Sequence, residues 1–157
     1  MTIPLPPVIN YMDFEVLNEP WNKYKLSDGS VLYMRTIAIN IIKTGQYDQF
    51  GKPIYLVSTT YIYHVRAPKE LRGNPTIPQP MPEVLADSIA EDVNATPEKE
   101  DWNRYKLEDG TTIMLKAILT RIQRTTKYDQ FGEPIYIIYT QNIIKDDVPK
   151  NLWKRPL

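Results

Sequence analysis

Few residues in this chain are chemically equipped for catalysis. His64 is its one histidine, and cysteine is absent. That excludes thiolate catalysis, disulfides and Cys-based metal sites. A Ser-His-Asp arrangement would have to recruit Ser58 or another serine, and no nucleophile-elbow motif surrounds any of them. Two kinds of carboxylate occur twice at matching places, Asp28 with Asp109 and Asp48 with Asp129. Each lies in a turn signature, where an Asp side chain accepts nearby backbone N–H groups, and turn chemistry accounts for each of them. They would hold a hard cation only if the fold brought them together, and no Asp-x-Asp-x-Asp-Gly loop supports that. The six glycines are scattered, so neither a phosphate-cradling loop nor a dinucleotide fingerprint is present. The expectation is a protein that is not an enzyme and has no catalytic, cofactor or metal residues.

Binding chemistry is better represented. Basic residues recur in pairs at Lys23/Arg104, Lys25/Lys106, Arg35/Lys116, Lys43/Arg124 and Lys69/Lys150. With Tyr24, Tyr33 or Tyr47 they compose a basic-aromatic surface of the type that holds a nucleic-acid backbone. The competing reading is a solvated face whose edge lysines block unwanted strand pairing. Tyr47 and Phe50, with their counterparts Tyr128 and Phe131, are the other candidates. An aromatic at a hairpin tip either folds back on its neighbours or meets a partner.

These residues are placed by a repeat. Tyr47-Asp48-Gln49-Phe50-Gly51-Lys52-Pro53-Ile54-Tyr55 returns as Tyr128-Asp129-Gln130-Phe131-Gly132-Glu133-Pro134-Ile135-Tyr136, at an offset of 81. From Trp21 to Leu71, and from Trp102 to Leu152, the copies align without a gap, with 23 of 51 positions identical. That level of identity reads as a duplicated module. His64 corresponds to Lys145, so the fold does not require a histidine there.

Within each copy, Asp28-Gly29 and Asp109-Gly110 are hairpin turns, because Gly takes positive φ without strain. A long strand follows, roughly residues 30–44 and 111–125. Its apolar positions, 32/113, 34/115, 37/118 and 41/122, change parity between 34 and 37, which predicts a β-bulge near Arg35-Thr36 and Lys116-Ala117. Leu115, Ile118, Leu119 and Ile122 also fit helical spacing, but the β-branched run Ile37-Ala38-Ile39-Asn40-Ile41-Ile42 favours a strand. The third strand, 54–65 and 135–145, is apolar on both faces and is expected to be central or buried on both sides. Residues 1–7 read as a polyproline arm, and Val8 to Leu17 alternates like a strand with no counterpart in the second copy. That strand is expected to pair with an edge of the first module or with another chain. Pro82 to Val93 reads as a short acidic helix with a stripe of Leu85, Ile89 and Val93.

The fold class is therefore mainly β. Two tandem three-stranded bent meanders, related by pseudo-twofold symmetry, form one barrel or sandwich with a short connector helix. The segments are an arm and strand (1–20), the first module (21–72), an acidic Pro-rich connector (73–101) and the second module (102–157). Net charge is +2 over 1–72, −6 over 73–101 and +4 over 102–157, so two mildly basic modules flank an acidic linker. No run approaches the ~20 apolar residues of a membrane helix and the start is not a signal peptide, so a cytoplasmic location is expected. Absent Cys with abundant Ile and Tyr matches a thermophile composition.

The unit Trp-x-x-Tyr-x-Leu-x-Asp-Gly followed by Tyr-Asp-x-x-Gly-x-Pro-x-Tyr resembles uncharacterised small β proteins of archaeal type. The resemblance covers both modules and implies no activity for any residue. The sequence reading is a non-catalytic β interaction or assembly module, homo-oligomeric through the N-terminal strand or the hairpin tips. The alternative is a small nucleic-acid-binding barrel that uses the paired Lys/Arg and Tyr residues.

Overall fold

The computed structural model describes residues 9–154, so the expected arm at 1–7 lies outside the described residues. Among the described residues the strands form two antiparallel five-stranded sheets. Strands β1 (Asn10–Tyr11) and β2 (Phe14–Asn18) precede the first meander, β3 (Trp21–Leu26), β4 (Val31–Tyr47) and β5 (Pro53–Arg66). The connector supplies helix α1 (Pro82–Ala86) and strands β6 (Ile89–Val93) and β7 (Ala95–Lys99). The second meander is β8 (Asn103–Leu107), β9 (Thr112–Tyr128) and β10 (Pro134–Asp147). The Asp-Gly turns form as expected, with Gly29 and Gly110 both at φ 91°. The helical reading of 111–125 loses to a 17-residue strand.

The bulges fall later than expected. The β4–β5 register skips between Ala38 and Asn40, so the extra residue is Ile39, and Thr120 plays the same part in β9. Leu32, Met34, Thr36 and Ala38 all face inward before the parity changes to Ile41. Ile37 and Ile118 are therefore on the outer face, while the small Thr36 and Ala117 fill the interior. Side-chain size misled the pattern, because close-packed layers need small residues as well as large ones.

Of the strand expected over Val8 to Leu17, the described part, residues 9–17, is not one strand. It breaks at the buried Met12. β1 pairs with β4, Tyr11 opposite Ile42, while β2 crosses to the second repeat, Phe14 opposite Leu107. The strand also has a counterpart. β6 pairs with β9, Asp92 opposite Gln123, and β7 crosses to the first repeat, Ala95 opposite Leu26. Each of these pairings matches its equivalent at the offset of 81. The expected helix from Pro82 to Val93 stops at Ala86 for the same reason. β9 runs on past the short β8 and leaves ladder groups to satisfy, and Ile89–Val93 takes them up with Val93 buried opposite Ile122. A five-residue helix has little intrinsic stability against such pairing.

The exchange of β2 and β7 mixes the interior. One core cluster joins Met12, Ala38, Ile41 and Tyr55 to Tyr105, Leu107, Ile113 and Leu115. The other joins Tyr24, Leu26, Leu32 and Met34 to Val93, Ala117 and Ile122. Neither repeat owns a core.

The third strands are not central. β5 pairs only with β4 and β10 only with β9 among the described residues. Their apolar outer faces are open, with Leu56 57% and Ile143 41% exposed. No helix among the described residues is long and apolar enough to cross a membrane.

Candidate interaction surfaces

Turn chemistry explains Asp48 and Asp129 and only half of Asp28 and Asp109. Asp48 Oδ1 accepts the backbone N–H of Phe50 (2.8 Å) and Lys52 (2.9 Å), and Asp129 repeats this. Asp28 Oδ1 likewise accepts from Ser30 N (2.9 Å). Its Oδ2 reaches the other repeat, accepting from the Tyr136 hydroxyl (2.6 Å) and Arg124 Nη1 (3.0 Å). Asp109 mirrors it with Tyr55 (2.5 Å) and Lys43 (3.5 Å). Burial acts to raise both carboxyls, but hydrogen bonds from tyrosine and backbone, with the nearby cation, outweigh it and hold them below the usual carboxylate range. Burial and the Asp109 contact push Tyr55 up to about 12. These groups tie the repeats together.

The recurring cations are mostly neutralised in place. Lys23 and Lys25 share Glu98 (3.1 Å each), Arg35 meets Glu19 (3.4 Å) and Lys116 meets Glu100 (2.7 Å). Sequence reasoning missed these carboxylates, because they lie in the connector and in the segment before the first repeat. Arg104, Lys106 and Lys145 have no carboxylate within 4 Å among the described residues. Lys145 and Lys116 lie over the Trp102 ring, at 5.0 and 5.7 Å from its centroid.

The hairpin tips present their phenylalanines outward, Phe50 65% and Phe131 69% exposed. Their tyrosines are covered differently. Tyr47 lies under Lys154 Nζ (5.1 Å), and Tyr128 packs so closely on Gly73 that a Cβ there would meet its ring at 2.3 Å. Each tip is held by the end of the opposite repeat, through Lys154 N to Gly51 O (2.7 Å) and Gly73 N to Gly132 O (3.0 Å).

A groove of about 770 Å³ runs beside one tip, lined by Tyr63, His64, Arg66, Arg72, Phe131 and Tyr136. Two pairs of its polar groups bond to each other, Arg66 Nε donating to His64 Nε2 (3.1 Å) and Arg72 pairing with Glu133 (3.1 Å). At the position equivalent to Arg72 stands Trp153, which packs on the core and donates to Val148 O (3.0 Å).

The feature that sequence reasoning overlooked is the pair of edges. β5 and β10 are each 14 residues long. No Lys, Arg, Asp or Glu occurs from Pro53 to Val65 or from Pro134 to Ile144. The opposite edges are guarded in the usual way: β2 and β7 have five residues each, and carry Glu15 and Pro97, Glu98 and Lys99 respectively. Edges with charge-free stretches this long, 53–65 and 134–144, are templates for another strand. The signal was visible as two uncharged runs, and their apolar character was mistaken for burial.

Comparison with protein-family models, with curated proteins and with solved structures gives no match to this chain.

Proposed function

We propose that this chain is a non-catalytic β module that works by strand addition, for interaction or assembly. The observation that carries the reading is the unguarded pair of long edges, β5 and β10, with Leu56, Ile62, Tyr139 and Ile143 exposed along them. An added strand gains main-chain hydrogen bonds from the free ladder groups and specificity from alternate side chains. The exposed Phe50 and Phe131 extend the apolar surface at the tips.

We also read the repeats as related by a pseudo-twofold axis and the sheets as the two layers of one sandwich. The pairings repeated at an offset of 81 and the mixed core clusters support this.

Selection from a displayed library of random peptides tests the edge reading. Enriched sequences should be uncharged and β-branched, and Thr60→Lys or Gln141→Lys should abolish their binding. Peptides indifferent to both substitutions would sink it.

Arg104, Lys106 and Lys145 support the second reading, a nucleic-acid backbone on the outer face of the second sheet. Binding of single-stranded oligonucleotides should then weaken as salt rises, with a log–log slope of about −2 for three phosphate contacts. Salt-indifferent or absent binding removes this reading.

A further inference from the structure

We propose that the strand added to both edges belongs to a second copy of this chain, β5 of each copy pairing antiparallel with β10 of the other. The inference rests on the edge-strand reading and names its partner.

Both edges are within reach of one neighbour. β5 and β10 lie against each other inside the chain, the Tyr61 hydroxyl donating to Asn142 Oδ1 (2.7 Å) and Asn142 Nδ2 to Thr59 Oγ1 (3.1 Å). A second copy approaching that side can therefore meet both strands at once. A symmetric pair then closes two ladders and leaves neither long edge open, the usual outcome of twofold assembly.

Charge selects which strand meets which. Among the 51 aligned positions of the repeats, the sign of the charge inverts at two: Lys52 becomes Glu133, and Arg66 becomes Asp147. These residues bracket the edge strands. β5 has a cation at each end and β10 an anion at each end. In the monomer, Lys52 is paired with Asp146 and Glu133 with Arg72. Arg66 and Asp147 have no opposite charge within 4 Å among the described residues.

The pleat then fixes a register. Outer-face side chains are even-numbered in β5 and odd-numbered in β10, so continuous sheets require even opposite odd. Setting Arg66 opposite Glu133 of the second copy also sets Lys52 opposite Asp147 of the second copy. Between them Leu56 meets Ile143, Thr60 meets Tyr139 and Ile62 meets Ile137 of the second copy. Like-with-like pairing over the same span does the reverse. β5 on β5 opposes Lys52 to Arg66, and β10 on β10 opposes Glu133 to Asp147. Opposed like charges across strands are destabilising.

The absence of cysteine from the chain makes the test clean. Sedimentation of the full chain across micromolar concentrations should show twice the chain mass. Directly opposed residues have Cα atoms ~4.5–5.5 Å apart, within disulfide reach. Thr60→Cys mixed with Tyr139→Cys should therefore give an oxidised mixed dimer, whereas Thr60→Cys alone should not cross-link. Arg66→Glu should weaken dimerisation about tenfold or more, with an unchanged circular dichroism spectrum showing that it still folds.

A monomeric wild type, a mass series running beyond two, cross-linking of Thr60→Cys to itself, or tighter dimers with Arg66→Glu would each overturn the proposal. A monomer whose edges still select peptides in an edge-dependent way would refute the second copy and leave the edge reading standing. A monomer that selects none would remove both.

Discussion

Replacing Asp28 by alanine tests the claim that this residue holds the repeats together. Its side chain is 3% exposed and accepts three hydrogen bonds, from Ser30 N, the Tyr136 hydroxyl and Arg124. Removing one member of a buried ion pair costs ~3–5 kcal/mol, because the remaining charge is left desolvated. Arg124 keeps a second carboxylate, Glu91 at 3.0 Å, which places the loss at the lower end, ~3 kcal/mol. For a chain of this size that is a fall of about 6–12 °C in Tm, at ~2–4 °C per kcal/mol. Asp48→Ala is the control. It removes the same turn chemistry from an exposed tip, and two hydrogen bonds to solvent-exposed N–H groups are worth ~1 kcal/mol. Urea unfolding followed by circular dichroism measures both. A double-mutant cycle of Asp28→Ala with Tyr136→Phe should return a coupling of ~1 kcal/mol or more, since the two groups are 2.6 Å apart. Equal losses for Asp28→Ala and Asp48→Ala, or a coupling within ~0.3 kcal/mol of zero, would reduce Asp28 to an ordinary turn residue and refute the cross-repeat argument.

Other outcomes follow from the same contacts. Gly51→Ala and Gly45→Ala both force alanine to positive φ (84° and 78°), which costs ~1–2 kcal/mol. Only at Gly51 does the new Cβ fall 1.7 Å from Lys154 O, so its urea midpoint should drop clearly further than that of Gly45→Ala. The lowered carboxyls of Asp28 and Asp109 add stability that is complete above the unfolded pKa of ~3.9 and is lost as pH falls through the folded values. Tm should therefore stay level from neutrality to about pH 5 and then fall, less steeply in Asp28→Asn. Phe50→Ser and Phe131→Ser should each leave stability within ~0.5 kcal/mol, as expected for exposed rings, and a larger loss by calorimetry would place those rings in the interior. A chain cut at residues 74–80 should give fragments that are unfolded separately by circular dichroism and recover strand content when mixed.

The elements that were legible in the sequence are those specified locally. Asp-Gly turns, the Asp48 tip and the long strands follow from backbone preferences that act over a few residues, and the repeat showed each of them twice. What was hidden depends on partners far along the chain. β6 and β7 have almost no identity with β1 and β2, since a strand added to a ladder needs little beyond backbone groups and one inward apolar residue, Met12 or Val93. The bulge was misplaced because alanine and threonine fill the interior at Ala117 and Thr36 while isoleucines lie outside. Asp28 looked complete as a turn residue because its second oxygen finds Tyr136 only after the sheets have met.

The same distinction separates the basic-aromatic surface from the edges. A lysine pair is visible in sequence, but whether it is free depends on acidic residues elsewhere, and Glu98, Glu100 and Glu19 take up four of the ten recurring cations. An edge is invisible in sequence for the opposite reason. The same apolar run serves a central strand or an open one, and only the count of neighbours separates them. Here the exchange of β2 and β7 completes the sheets on the side of β8 and β3 and adds no strand beyond β10 or β5. Along β5 and β10 the repeats remain alike in their uncharged interiors and opposite in charge at both ends: within the chain Lys52 meets Asp146 and Glu133 meets Arg72, while Arg66 and Asp147 are left for the proposed β5–β10 pairing between two chains.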